Sequence, residues 1–187
     1  IAQCLVGSEM CIRDRYKGDI YTVPVAGGRA MQITTNPAYD TAPVWSPDSK
    51  RIAFASDRMG SLDVYIVAKD GGEPRRLTTH SGSETPLAFT DAGHVLFSAG
   101  IMPSAEAVVF PSNGQFNQVY RVSVEGGRPT MISSMPMECI SINKEGAMLY
   151  QDKKGYEDYW RKHHVSPIAR DIWMYTCLLY TSPSPRD

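Results

Sequence analysis

The chain has 187 residues with 19 basic and 20 acidic side chains, so its formal net charge at pH 7 is −1. This balance gives no argument for nucleic acid or an anionic membrane surface as a partner. No apolar segment of the sequence approaches the roughly 20 residues that a membrane-spanning helix needs, so no span is predicted.

The two ends of the chain match nothing between them. The C-terminal string CLLYTSPSPRD is typical of a disordered Ser/Pro tail, but one back-translation of it is a transposase-type sequencing adapter. The reverse complement of that DNA, read in another frame, encodes LVGSEMCIRD, which is residues 5–14. We therefore expect residues 1–15 and 176–187 to be translated adapter and residues 16–175 to be the native part.

Excluding the two ends changes what the composition implies. They hold three basic and three acidic residues, so the net charge stays at −1. They also hold three of the four cysteines, which leaves Cys139 alone. A single cysteine cannot form an internal disulfide, so no disulfide framework is predicted.

A repeated string organises residues 16–175. DIYTVPVAGG begins at Asp19, DVYIVAKDGG at Asp63, QVYRVSVEGG at Gln118 and a shorter DIWMY at Asp171, at spacings of 44, 55 and 53 residues. β-branched and aromatic residues alternate in each copy, which predicts strands. The doubled glycines supply the positive φ that a tight hairpin needs.

A second element lies between the copies, and its best example is VWSPDSKRIAFAS from Val44. Pro47 and Asp48 predict a turn between two further strands. The best unit then has four strands, at roughly 42–46, 51–56, 62–68 and 74–78. Four antiparallel strands in each 40–50 residues are typical of a β-propeller blade; a β-sandwich, the rival, would lack this long period.

The predicted fold is therefore all-β, a sector of a β-propeller built from four-stranded blades and not a closed ring. We expect two full blades at about 42–78 and 84–133, with partial blades at 19–34 and 137–175. Insertions at residues 101–115 and 153–170 interrupt two successive blades between the second and third strands. Insertions at equivalent places emerge on the same face, where binding usually occurs.

The strings VWSPDSKRIAFASDR and DVYIVAKDGGEPRRLT resemble the TolB-type propeller repeat. More narrowly, YEDYWRKHHVSPIARDIWMY is similar to a segment in the N-terminal propeller of tricorn-type serine peptidases. The resemblance implies a multidomain peptidase whose propellers act as scaffold and gate for peptide substrates, with the PDZ-like and catalytic domains further along the chain. It implies no catalytic residue here, and it favours the periplasm or the cell exterior.

Two other classes of function remain open at this stage. One is a TolB-like module in which the propeller itself binds proteins or envelope components. The other is the propeller of a prolyl-oligopeptidase-like or amidohydrolase-like enzyme, because one fold serves many functions. The segment has no Gly-x-Ser-x-Gly, no phosphate loop and no CxxC, so we expect no catalytic residue and no cofactor.

The second insertion contains the candidate recognition residues. They are the basic and aromatic side chains Trp160, Arg161, Lys162, His163 and His164. The plain interpretation is an exposed, partly ordered loop. The functional one is a loop that contacts peptide carboxylates, a neighbouring domain of the parent protein or a second subunit of a homo-oligomer.

Other chemically suggestive residues are assigned structural roles. Adjacent histidines on a strand point to opposite faces, so His163 and His164 are a poor metal pair. We expect three aspartates to be turn and strand-end residues, two histidines to be solvated or bonded to backbone, and four aromatic residues to pack between blades. These are Asp48, Asp57 and Asp91; His80 and His94; and Trp45, Phe54, Phe89 and Phe97.

Overall fold

The computed structural model describes residues 11–16, 18–24, 26–100, 117–134, 137–143, 146–152 and 172–175. In chain order the strands are β1 (Cys11–Tyr16), β2 (Asp19–Pro24), β3 (Met31–Gln32), β4 (Asp40–Trp45), β5 (Arg51–Ser56), β6 (Asp63–Ala68), β7 (Arg75–Arg76), β8 (Glu84–Asp91), β9 (His94–Ala99), β10 (Gln118–Ser123), β11 (Thr130–Ser133), β12 (Met137–Ile142), β13 (Met148–Asp152) and β14 (Ile172–Tyr175). Across the described residues there is no helix of the length and hydropathy that a membrane crossing requires.

The strands form four antiparallel sheets in which each strand pairs with its neighbour in sequence. Sheet 1 is β1-β2-β3, sheet 2 is β4-β5-β6-β7, sheet 3 is β8-β9-β10-β11 and sheet 4 is β12-β13-β14. The all-β fold of consecutive up-and-down sheets confirms the predicted β-propeller sector. Within the described residues, the four sheets do not close into a ring.

Sheet 1 has one strand more than the sequence predicted. β1 pairs with β2 along its whole length, from Cys11 opposite Pro24 to Tyr16 opposite Asp19. This strand falls almost entirely within residues 1–15. The adapter hypothesis concerns the origin of those residues, and it stays a prediction.

Apolar side chains fill each contact between neighbouring sheets, which we call seam 1–2, seam 2–3 and seam 3–4. Seam 1–2 contains Ile20, Ile33, Ile52, Phe54, Tyr65 and Val67, with Trp45 packed against them. Seam 2–3 includes Val44, Ala53, Val64, Ile66, Leu77, Phe89, Val95, Phe97, Tyr120 and Val122. Seam 3–4 contains Leu96, Val119, Met137, Met148 and Tyr150. The predicted packing of the four aromatic residues is confirmed.

β6 shows how the sequence pattern builds two seams at once. Successive side chains of a strand point to opposite faces. Val64 and Ile66 therefore enter seam 2–3, whereas Tyr65 and Val67 enter seam 1–2. Because both faces are covered, the strand is apolar at every one of these positions, as the sequence predicted.

The turns follow the chemistry expected of them. The Asp48 carboxylate accepts hydrogen bonds from the Ser46 hydroxyl, at 2.6 Å, and from the Lys50 backbone N–H, at 3.1 Å. The Ser46 contact lowers the pKa of Asp48. Gly71 and Gly72 have φ of 87° and 115°, values that only glycine adopts readily.

A bulge recurs near the start of the first strand of a sheet. In β4 and β12 the residue two positions after the start has positive φ, 47° at Ala42 and 51° at Cys139, and the pairing register shifts there. The corresponding residue of β8 is Pro86, whose ring holds φ negative. In β8 the first register shift lies between Pro86 and Ala88.

The insertions join equivalent strands. One lies between β9, which ends at Ala99, and β10, which begins at Gln118; the other lies between β13 and β14. Both therefore connect the second strand of a sheet to the third, at the same end of each sheet. Residues 101–116 and 153–171 themselves lie outside the described residues.

Candidate functional site

The predicted recognition residues are not among those that the structure describes. They are Trp160, Arg161, Lys162, His163 and His164. Their proposed role therefore stays a prediction. The described residues at the same end of sheet 2 nevertheless show how polar chemistry is arranged on this side of the fold.

The short connection between β5 and β6 carries Arg58, which neutralises a buried acid. Its Nη2 atom lies 3.0 and 3.2 Å from the two carboxylate oxygens of Asp40, the first residue of β4. Its Nε atom donates to the Ser56 hydroxyl at 2.9 Å. Asp40 is fully buried and the Arg58 side chain is 14 % exposed. Burial of this carboxylate depends on its cation, because an unpaired buried charge is very costly.

The same guanidinium also covers two aromatic rings of seam 1–2. Its central carbon lies 4.6 Å from the centre of the Tyr65 ring and 5.5 Å from that of Phe54. The two rings stack with their centres 5.9 Å apart. Arg58 therefore joins a buried ion pair to the apolar packing of the seam.

A groove of about 630 Å³ runs along seam 1–2 beside these groups. Arg76, which also lines it, places Nη2 2.8 Å from the Asp63 carboxylate. Each guanidinium of the groove is therefore already matched by a buried aspartate. Burial raises the pKa of the Tyr65 phenol, which stays neutral at physiological pH. Glu73, an exposed acid, also lines the groove, and nothing in it marks a catalytic group.

The start of sheet 3 repeats the buried acid without the cation. Asp40 lies opposite Ser56 in the pairing of β4 with β5, and Glu84 lies opposite Ala99 in the pairing of β8 with β9. Glu84 is fully buried. Two residues further on, where sheet 2 has Arg58, the sequence of sheet 3 has an isoleucine, Ile101.

The surroundings of Glu84 disfavour its charged form. Burial raises the pKa of its carboxyl from 4.5 to about 7, and the nearby Asp63 acts in the same direction. Thr78, Arg76 and the backbone of His80 oppose this effect only in part. Thr78 and the His80 backbone approach the carboxyl, but within the described part of the chain neither carboxyl oxygen has a hydrogen bond of normal geometry.

Backbone hydrogen bonds fix both acids against the preceding sheet. The Asp40 N–H donates to the Gly18 carbonyl at 2.8 Å, and the Glu84 N–H donates to the Leu62 carbonyl at 2.7 Å. Gly18 and Leu62 each precede the first aspartate of a repeat, so each buried acid lies beside an aspartate of the preceding sheet. For Glu84 this neighbour is Asp63.

The aspartates interpreted as structural do have structural contacts. Asp57 accepts a 2.8 Å hydrogen bond from the Tyr39 N–H. Asp91 accepts one of 2.6 Å from the Gly93 N–H and contacts the His94 ring. Burial acts to raise the pKa of Asp91, but these hydrogen bonds hold it below its usual value.

The two histidines differ in their contacts, one to backbone and one to a carboxylate. His80 Nδ1 accepts a 3.0 Å hydrogen bond from the Gly82 N–H, so its backbone contact is confirmed. His94 instead places Nδ1 3.0 Å from the Asp91 carboxylate, which the sequence did not predict. Among the described residues no cluster of three or more His, Cys, Asp or Glu side chains could hold a metal ion.

Sequence reasoning missed Asp40, Arg58 and Glu84. A usable signal was present, because each of the two full units has an acid 10 or 11 residues before its second strand. The string SDR, which begins at the last residue of that strand in one unit, is replaced by AGI in the next. The arginine of the first unit is therefore lost, whereas the acid before the second strand is kept. An unmatched buried acid was therefore visible in the repeat alignment.

Fold and seams together define a β-propeller of the repeat class found in TolB and in peptidases. The family described as the tricorn protease N-terminal beta propeller domain matches residues 10–181. The chain belongs to this family.

Relatives support the same assignment. Tricorn protease homolog 1 of Streptomyces coelicolor is 24% identical over 157 residues, which are 83% of this chain and 14% of that protein. The uncharacterized peptidase YuxL of Bacillus subtilis is 33% identical over 91 residues, 48% of this chain and 14% of that protein. The chain thus spans about one seventh of the length of these curated relatives.

A solved structure shares the fold. The putative TolB from Agrobacterium tumefaciens superposes with a TM-score of 0.59 at 24% identity, over 79% of this chain and 51% of that one. At this identity the likeness shows the fold alone.

Proposed function

We propose that this chain is a noncatalytic propeller segment of a tricorn-like serine peptidase, in which it acts as a scaffold and a gate for peptide substrates. The observation that carries the proposal is the match of the tricorn propeller family over residues 10–181. The resemblance to tricorn-type peptidases implies that catalysis lies in other domains of the parent protein, and we propose no catalytic residue in this segment.

The two insertions are the parts that would meet a peptide. Their flanking strands place both at the same end of neighbouring sheets. The first, residues 101–116, has no basic residue, whereas residues 153–171 contain five arginine or lysine residues, together with Trp160 and two tyrosines. Basic side chains next to aromatic ones suit the recognition of a peptide carboxylate, through ionic hydrogen bonds and ring contacts.

The test is substitution of Arg161→Ala together with Lys162→Ala in the full-length parent protein. We expect KM to rise roughly ten-fold for a peptide with a free C-terminal carboxylate, because about 1.4 kcal/mol of ionic contact is lost. Hydrolysis of the same peptide with an amidated C-terminus should not change. The matched control is Lys153→Ala with Lys154→Ala, which removes the same charge from the same insertion.

Two outcomes count against this role. If both double variants raise KM equally, the effect is one of net charge and not of the recognition residues. If neither changes KM or subunit assembly, the loop is an exposed connection without a part in substrate entry.

The TolB likeness favours a second candidate, a propeller that itself binds a protein partner. A propeller joined to a prolyl-oligopeptidase-like or amidohydrolase-like catalytic domain is a third. Sequencing the source DNA outward past both ends of residues 16–175, where the adapter-like residues begin, distinguishes the three candidate functions. A PDZ-like and peptidase region supports the proposed function, a stop after the propeller supports the binding module, and a downstream Gly-x-Ser-x-Gly supports the third candidate.

A further inference from the structure

Seam 2–3 contains one more buried acid than it has cations to neutralise. Asp63 and Glu84 are both fully buried and lie next to each other, and Arg76 pairs with Asp63. At seam 1–2 the acid in the position of Glu84 has its own guanidinium, Arg58. Two buried carboxylates beside one guanidinium cannot both be ionised without a large electrostatic cost.

Other charged groups near Glu84 do not supply the missing cation. On the hairpin of β8 and β9, Asp91 and His94 pair with each other at the opposite end from Glu84. On β4, Asp40 is paired with Arg58. From the loop after β7, His80 acts on Glu84 through its backbone, and the charge of its imidazole acts on Asp63, which already has Arg76 as its cation.

Two further elements are also without a cation for this carboxyl. On β12 the position equivalent to Glu84 is the buried Met137, and Glu138 follows it on the opposite face of the strand. The sequence of residues 101–116 contains no lysine, arginine or histidine. The simplest neutral state of the seam therefore has a proton on the acid that lacks a partner.

We propose that Glu84 is held as a neutral carboxylic acid beside the Asp63–Arg76 ion pair, and that loss of its proton loosens seam 2–3 at the base of the first insertion. Glu84 lies opposite Ala99, the last residue of β9, and its N–H is bonded to Leu62 in sheet 2. An ionised Glu84 would repel Asp63, which belongs to sheet 2. The contact that weakens is thus the one that ties the start of sheet 3 to its neighbour. The seam then responds to pH near neutrality.

Ionisation of the carboxyl can be observed directly. The full chain is labelled with ¹³C at glutamate side chains, and the carboxyl resonances are followed from pH 4 to pH 9. We expect one glutamate to titrate near pH 7, and its resonance to be absent from Glu84→Gln but present in Glu125→Gln, where an exposed glutamate is changed. If every glutamate titrates below pH 5.5, the proposal is overturned.

Hydrogen exchange tests the structural consequence. The backbone amides of Glu84 and of β9 are compared with those of Glu84→Gln at the same pH, so that intrinsic exchange rates cancel. We expect similar protection at pH 5.5 and at least ten-fold faster exchange of the natural protein at pH 8.5. Equal exchange at both pH values would overturn the loosening of the seam even if the carboxyl titrates near neutrality.

A second variant controls for poor packing of glutamine at position 84. Glu84→Met copies the residue that sheet 4 carries at the equivalent position, Met137, which is buried there. It should remove the pH response as Glu84→Gln does. A pH response that persists in both variants assigns it to another group and overturns the proposal.

Discussion

Replacing Arg58 by methionine should destabilise the protein far more than an ordinary loss of an arginine. The change keeps an unbranched side chain but leaves the Asp40 carboxylate buried without its cation. Breaking a buried pair from one side costs about 3–5 kcal/mol. The contact of the guanidinium with the Tyr65 ring, at 4.6 Å, adds about 1 kcal/mol. Since Arg58 retains some exposure, we expect a total loss of about 4 kcal/mol.

The matched control is Arg75→Met in sheet 2. Arg75 forms a 3.3 Å pair with Glu125 in which the two side chains are 49 % and 73 % exposed, and it also donates to the Val124 carbonyl. Exposed pairs contribute little, so this variant should lose about 1 kcal/mol. Both variants are compared by urea unfolding at pH 7, followed by far-ultraviolet circular dichroism.

A second substitution distinguishes the buried charge from lost packing. Adding Asp40→Asn to Arg58→Met removes the unpaired carboxylate and should recover about 2 kcal/mol. The reasoning is refuted if Arg58→Met costs no more than Arg75→Met. It is refuted equally if Asp40→Asn adds its own loss instead of recovering stability.

Three further changes test seam 2–3. Because the folded-state pKa of Glu84, about 7, lies above the 4.5 of the free group, its stabilising contribution is complete below pH 4.5 and is lost as the pH rises to 7. Calorimetry should show the unfolding free energy falling by about 3 kcal/mol across that window relative to Glu84→Gln, and parallel pH profiles would contradict this. The Thr78 hydroxyl accepts a 2.9 Å hydrogen bond from the buried Val64 N–H of β6, so Thr78→Val should lower the free energy of unfolding in urea by about 1–3 kcal/mol. An equal loss for Thr79→Val, at an exposed position, would show that this hydrogen bond does not stabilise the fold. Phe97 is fully buried in seam 2–3, so Phe97→Ala should lower the free energy of unfolding by about 3–5 kcal/mol. The control is Met59→Ala, because that side chain is 65 % exposed. It should change the stability in urea by less than about 0.5 kcal/mol. Similar losses for these two would refute the assigned packing.

Most of the fold could be predicted because its signals are local and recur. A strand that is apolar on both faces, such as β6, and a hairpin that needs two residues with positive φ, such as Gly71 and Gly72, leave marks in any single copy of the repeat. The bulges could not be predicted in the same way. Ala42 and Cys139 adopt positive φ without being glycine, since pairing on both sides of them determines the backbone there.

The polar chemistry of the seams was harder to predict than the strands. Asp40 and Arg58 are 18 residues apart in sequence, and only the hairpin that joins β4 to β5 brings them together. The neutral state suggested for Glu84 depends on Asp63, which belongs to a different sheet. Interactions of this kind follow from which sheet packs on which, and a residue pattern within one copy does not contain that information.

The backbone bonds at Asp40 and Glu84 have a consequence for how such repeats diverge. Sheets 2 and 3 are each joined to the sheet before by main-chain atoms, sheet 2 through Gly18 and sheet 3 through Leu62. The joint therefore survives when the side chain at that point is exchanged, and a guanidinium partner can be kept in one joint and dropped in the next. Evolution can in this way give neighbouring joints of a single propeller different chemical sensitivities while the architecture that holds them stays the same.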